Sequence, residues 1–389
     1  MNQIEHLRRV AERMGCAGLG VTSAEPFEDV ADTIVARRNA GLGGKLRFTY
    51  KDPETATDVR LSFPWAQRIV VVSWPYMPEA GNPGPATPGT GRVARFATED
   101  HYRGLKSALV AIEADLHAEG WRAEIVVDDD RLVDRAAAVR AGISWWGKST
   151  MVLDPRNGPW LLLGSVITDA ELPTTDPMVR DCGTCVACIP ACPTGAIVAP
   201  GVLDASRCLA HWTQMAGVIP RDLREPMGDR VYGCDDCLDA CPPGTKRLAD
   251  APMGVGRVDL VGLLAADDGS LLEEYDHFYL PRRNSKFLRR NALIALGNST
   301  ADAVAADSLG AGEAQEIVAI LAGYLGHADE IYRTHAAWAI GRIGGDGAQQ
   351  LLSHQLQRER SDGVATEIAA CLGEIETRDR RRRSKDRSS

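Results

Sequence analysis

The stretch that decides how this chain is read is C-G-T-C-V-A-C-I-P-A-C-P, from Cys182 to Pro193. Its spacing is C-x2-C-x2-C-x3-C-P, the pattern that ligates [4Fe–4S] clusters and gives its fourth cysteine to the other cluster of a pair. A partial copy, G-C-D-D-C-L-D-A-C-P, runs from Gly233 to Pro242 and lacks its first cysteine. Cys208 lies between the copies, in D-A-S-R-C-L-A-H-W, and is the natural substitute. The crossed rule then assigns Cys182, Cys185, Cys188 and Cys241 to one cluster and Cys192, Cys208, Cys234 and Cys237 to the other. A pair of structural zinc sites is the competing reading, since C-x2-C pairs also suit tetrahedral zinc. The C-P endings and the two copies favour clusters, and with them single-electron transfer. Cys16 and Cys371 stand alone in apolar settings and read as core thiols.

Outward from this run, 389 residues predict two or three domains, and 44% apolar residues with ordinary charge content predict a folded protein. The N-terminal residues M-N-Q-I-E-H-L-R-R-V offer no apolar signal core. Arg8-Arg9 imitates a twin-arginine start, but Glu12 and Arg13 follow where an apolar region would have to be. No stretch approaches eighteen apolar residues, so a membrane span is not expected. A cytoplasmic location is expected, in keeping with reduced thiolates. The net charge of −9 is uneven: residues 281–389 carry 16 Lys and Arg against 14 Asp and Glu. A less acidic C-terminal part points to a polyanionic partner, although the tail R-D-R-R-R-R-S-K-D-R-S-S supplies much of the positive charge and reads as disordered.

Up to about residue 170, helical and strand patterns alternate. A helix through Ile4, Leu7, Val10 and Met14 precedes the strand A-G-L-G-V-T, and R-I-V-V-V-S-W at 68–74 reads as a buried strand. A Pro/Gly loop covers Glu79 to Arg92. Then come a helix through Leu105, Leu109, Ile112 and Leu116, a strand at Glu124–Val127, a helix near Leu132–Ala141, and two strands flanking Pro155–Pro159. After the cluster region a self-similarity appears: R-R-N-A-L-I-A-L-G-N to Gly297, R-T-H-A-A-W-A-I-G-R to Gly341, and E-I-A-A-C-L-G to Gly373. These offsets and Ala/Leu-rich faces suggest HEAT-like helix pairs, with an ordinary helical bundle as the alternative. Arg282, Arg283, Lys286, Arg289 and Arg290 open this region, a density that suits phosphate contacts or, more simply, a solvated helix face. The expected class is α+β with domains at 1–175, 176–250 and 251–377 and a tail at 378–389.

Several segments together resemble epoxyqueuosine reductase, the cobalamin-dependent iron–sulfur enzyme of queuosine-tRNA synthesis. They are V-D at Val127-Asp128, R-A-G-I-S-W-W-G-K-S at Arg140–Ser149, both cysteine motifs, D-A-S-R-C, G-D-R-V-Y-G-C, and A-A-W-A-I-G-R-I-G in the helical repeat. The resemblance implies a nitroreductase-like cobalamin domain, a ferredoxin-like domain with two [4Fe–4S] clusters, and HEAT-like helices that bind tRNA through the five cations above. It implies reduction of epoxyqueuosine to queuosine at the anticodon wobble position, with Asp128 as proton donor. Cobalamin would be base-off without a protein lower ligand, as no D-x-H-x-x-G motif occurs. Its contacts would include Asp128, Lys148, Ser149, Val152, Leu163, Asp235 and Asp236. An external flavodoxin- or ferredoxin-type donor and a monomer are also implied. The chain departs from the family's V-D-[TS]-x-P with V-D-D-D-R-L, and reads D-H-Y at Asp100–Tyr102 and L-A-H-W-T after Cys208. The rival readings are a reductive dehalogenase-like reductase, disfavoured by the helical repeat, and a non-catalytic electron carrier.

Overall fold

A computed structural model describes residues 3–386. Contacts divide the chain into two units, one built from residues up to Asn82, Arg95–His211 and Asp235–Met253, the other from Pro83–Ala94, Trp212–Cys234 and the chain from Gly254 onward.

The first unit is organised by a four-stranded antiparallel sheet in the order Gly18–Ser23, Arg68–Pro75, Leu161–Thr168, Ala123–Val126. The run R-I-V-V-V-S-W is buried on both faces, because successive side chains of a strand point to opposite sides. Val70 and Val72 join one core with Val21, Leu162 and Val166; Ile69 and Val71 join the other with Val126 and Ile167. Helix Gln3–Arg13 covers the first face through Ile4, Leu7 and Val10, together with helix His101–Ala118 through Leu105, Leu109, Ile112 and Leu116. The second face receives Ala136, Ala137 and Ala138 of helix Asp134–Arg140, small residues that let the helix lie close to the sheet. The result is a three-layer α+β arrangement. Two helical turns, Cys188–Ala191 and Asp236–Asp239, and the hairpin Ile197–Ala199 with Val202–Leu203 carry the cysteine-rich segments.

The second unit holds a small sheet, Arg230–Tyr232 parallel to Thr90–Val93, which is antiparallel to Arg257–Asp259. The Pro/Gly loop expected up to Arg92 thus ends in a strand. The short helices Leu260–Ala265 and Asp268–Glu274 lead into five longer ones: Lys286–Ala305, Ala311–Gly323, Glu330–Ile343, Asp346–Arg358 and Asp362–Asp386. The first, third and fifth pack in succession, as stacked helix pairs should. The tail expected to be disordered continues the last helix as far as Asp386; it lacks Gly and Pro, and Arg380 pairs with Glu376 one turn earlier at 3.2 Å. Residues 387–389 of that tail lie outside the described residues.

Candidate active site

The thiols lie close enough to feel one another's charge. Cys241 feels the charges of Cys182, Cys188 and Cys185, and burial pushes its thiol up to about 11. Cys237 feels Cys208 first among the thiols, then Cys192 and Cys188, and burial raises it well above the ordinary thiol value. Burial also raises Cys208, whose neighbour among the thiols is Cys192. Cys192 is the exception: burial opposes ionisation, but hydrogen bonds from Thr194, Ala196 and Ile197 outweigh it and lower its pKa, with Ala196 N 3.2 Å from Sγ. Donors to sulfur are one of the means by which a protein tunes a cluster. Cys234 closes the segment Trp212–Cys234 of the other unit. Among the described residues, no three His, Cys, Asp or Glu are arranged to hold a single metal ion.

Three successive aspartates meet three different environments. Strand Ala123–Val126 ends, Val127 packs into the core, and the chain turns at Asp128 with φ 50°, a left-handed conformation that Asp tolerates better than most residues. Asp129 is consumed locally: its carboxylate accepts from Arg131 N at 2.9 Å, Nε at 2.8 Å and Nη2 at 2.5 Å, and the Arg131 hydrogen bonds lower its pKa. This clamp stiffens the turn where the family's proline is missing. Asp130 is exposed. Asp128 has no hydrogen-bond or ion-pair partner among the described residues. Burial raises its pKa, Arg135 and Lys106 work in the opposite direction, and Asp129 adds to the rise.

Asp134 and Arg135 open helix Asp134–Arg140 beside this turn. One Asp134 oxygen is buried without a hydrogen-bond partner, and burial, then the charge of Asp128, pushes the carboxyl up to about 8. Arg135 donates to the Thr150 carbonyl at 3.4 Å and is reached by the charges of Asp134, Tyr102, Asp128 and Cys208. Asp128 and Arg135 are both open to solvent, yet protein surrounds each closely enough for burial to disfavour its charged form. His211, just after Cys208, is held neutral at a pKa of about 4 by burial and the charge of Lys45. Sequence reasoning missed Asp134, Arg135 and His211; D-R at a helix start and H in L-A-H-W carry no spacing that distinguishes them from ordinary surface and core residues.

The other expected contacts differ in their surroundings. Lys148 Nζ donates to the Gly183 carbonyl at 2.6 Å, in the loop of Cys182 and Cys185. Ser149 and Val152 are buried, and Leu163 is half-buried against the second core. Asp235 is a clamp: it accepts from Arg95 N at 2.8 Å and from the Arg95 guanidinium at 3.2 Å, which also holds Asp239 at 2.7 Å. Asp236 begins the short turn after it.

Of the five cations, Arg290 is wholly buried and donates to the carbonyls of Trp212, Met215 and Gly217, so it is a fastener and not a phosphate ligand. Arg289 is buried against Asp268 and the Ala266 carbonyl, and Lys286 pairs with Asp329 at 2.9 Å. Arg283 is exposed but caps the carbonyls of Leu272 and Asp276. Arg282, exposed at φ 56°, has no partner among the described residues.

Residues 181–244 match the family described as a 4Fe-4S double cluster binding domain, and residues 285–373 match HEAT repeats. That match decides between clusters and zinc: the chain carries a double [4Fe–4S] domain. The chain is 30% identical over 371 residues to an epoxyqueuosine reductase of Bacillus cereus, spanning 92% of this chain and 93% of the relative. Against the Bacillus subtilis epoxyqueuosine reductase it is 30% identical over 379 residues, 94% of each chain. A solved epoxyqueuosine reductase with an epoxyqueuosine-modified tRNA-Tyr stem loop superposes with a TM-score of 0.85 at 28% identity, covering 96% of this chain and 98% of that one.

Proposed function

This chain belongs to the epoxyqueuosine reductase family, and on that premise we propose that it reduces epoxyqueuosine in tRNA to queuosine with two [4Fe–4S] clusters, cobalamin and Asp128 as proton donor. The observation that carries this reading is Arg135, which feels both Asp128 and Cys208, so that a proton source and a cluster ligand face one side chain. The reaction consumes two electrons and two protons: both carbon–oxygen bonds of the epoxide break, a carbon–carbon double bond forms, and the oxygen leaves as water.

The residues present fit cobalamin. Asp128 and Arg135 are open to solvent, and the buried Asp134 oxygen next to Arg135 has no hydrogen-bond partner among the described residues. When bound, cobalamin supplies a low-potential centre that the clusters recharge one electron at a time. Asp128, Tyr102 and Arg135 would hold it or its substrate, while Asp235 is committed to Arg95. Cluster two takes Cys234 by its spacing to Cys237. Asp128 protonates the departing oxygen, which as hydroxide would leave slowly; a raised pKa keeps a carboxyl protonated closer to neutrality. Arg135 limits that rise through its charge. Arg282 is the cation of its group left to meet a phosphate. The electron donor is an external low-potential flavodoxin or ferredoxin, and the enzyme works as a cytoplasmic monomer. Among the described residues no helix is long and apolar enough to cross a membrane.

The test is anaerobic reconstitution with cobalamin and a strong reductant, followed by mass analysis of nucleosides from epoxyqueuosine-tRNA. Wild type is expected to form queuosine, and Asp128→Asn to lose about 10²–10⁴-fold in kcat, the usual worth of a general acid. An inactive wild type, or an undiminished variant, overturns the reading.

A further inference from the structure

The segment R-R-N-A-G-L-G-G-K-L-R-F-T-Y-K, from Arg37 to Lys51, holds five cations and no acidic residue in a chain of net charge −9. It begins at the end of helix Glu28–Asn39, and Gly41 and Gly44 take the left-handed conformation at φ 73° and 55°. Arg38, Arg47, Tyr50 and Lys51 line a hollow of about 310 Å³. Arg47 and Lys51 are exposed, and Phe48 beside them keeps 43% of its surface in solvent. The negative end of the helix dipole accounts for Arg37 and Arg38. It does not account for Arg47, Lys51 or an aromatic ring left in water.

Position adds the second argument. Arg37 donates to the Gly201 carbonyl at 2.7 Å, and Ala205 N donates to the Leu42 carbonyl at 2.8 Å. A Cβ on Gly44 would stand 3.0 Å from Ser206 N, so this glycine lets the loop lie directly on the segment leading to Cys208. Lys45 is close enough for its charge to act on His211. The basic hollow is therefore seated on the segment that leads to Cys208, whose charge in turn reaches Arg135. A polyanion bound there would run its neighbouring units toward Arg135 and Asp128.

We propose that Arg38, Arg47 and Lys51 grip the backbone phosphates of an unpaired RNA strand flanking the reacting nucleotide, with Phe48 stacking on one of its bases. This rests on the reading of the substrate as tRNA and names the element that holds the loop. Cations along a groove with an interleaved aromatic are the means by which single strands are held without sequence readout.

The test measures binding of an unmodified anticodon stem-loop RNA at several salt concentrations, and steady-state turnover of epoxyqueuosine-tRNA by the reconstituted enzyme. The variant R38Q/R47Q/K51Q is expected to raise Kd and KM about 10–100-fold, with the loss in KM and not in kcat. Its salt slope, d log K against d log[salt], should shrink by about 2, since each single-strand phosphate contact contributes about 0.7. Phe48→Ala should weaken binding about 5–150-fold with an unchanged slope, from about 1–3 kcal/mol of stacking. Arg13→Gln, an exposed cation elsewhere, controls for net charge, and iron content reports folding. Unchanged affinity and slope in the triple variant, or a slope loss equalled by Arg13→Gln, overturns the proposal. Wild type that binds RNA with the steep slope yet converts none would sink the proposed reaction and leave this surface standing.

Discussion

Asp128, Asp129 and Asp130 are chemically identical neighbours, and their environments separate them. Asp129 is ion-paired with Arg131 and pushed toward the carboxylate, whereas Asp128 is partnerless and pushed by burial toward the acid. A general acid works in its protonated form, so activity should fall as pH rises through the pKa of Asp128. Arg135 favours the ionised form and is the largest opposing influence on that pKa. In Arg135→Gln the descending limb of log kcat against pH is therefore expected to move to higher pH, read from nucleoside formation across pH 5–9. A limb that stays in place or moves lower would show that Arg135 does not act on the acid. The V-D pair was legible in the sequence as a resemblance. Its isolation from Asp129 was not, because it follows from an arginine two residues on folding back over one carboxylate and not the other.

At the scale of elements, the repeated glycines record where helices cross. A Cβ on Gly297 would lie 2.6 Å from Ala339 Cβ, and one on Gly341 would lie 2.6 Å from Cys371 Cβ. Gly373, the third copy, meets nothing within 4 Å among the described residues. Gly297→Ala should therefore cost about 1–3 kcal/mol by overpacking, while Gly373→Ala should stabilise by about 0.5–1 kcal/mol through helix propensity. Urea unfolding followed by circular dichroism reads both, and equal signs at the two positions would contradict the stacking. The repeat was visible in R-R-N-A-L-I-A-L-G-N. The fate of its cations was not: Arg290 and Asn291 point inward, with Asn291 donating to the Thr213 and Val231 carbonyls at 2.7 and 2.8 Å. Burial lowers Arg290 to about 9, and only its carbonyl cage makes that interior position tenable.

For the whole molecule, the crossed assignment would tie distant parts of the chain to common centres. If Cys208 serves with Cys192 and Cys237, Cys208→Ser is expected to lose one cluster and spare the other, taking iron from about eight to about four per chain. Iron held at about eight in the anaerobically reconstituted variant would show that the ligand partition is wrong.

The double-cluster motif, the helical repeat and the buried strand at 68–74 were all determined by the sequence alone, because each depends on spacing along the chain, and spacing is covalent. The interleaving of two units was beyond it, since Pro83–Ala94 and Trp212–Cys234 join the C-terminal helices through pairings that no local pattern encodes. Tertiary structure alone also set Asp128 apart as the candidate acid. A pKa is set by burial and by neighbouring charge, and here burial is opposed by Arg135 and Lys106, which stand on two different helices that no local pattern brings to Asp128.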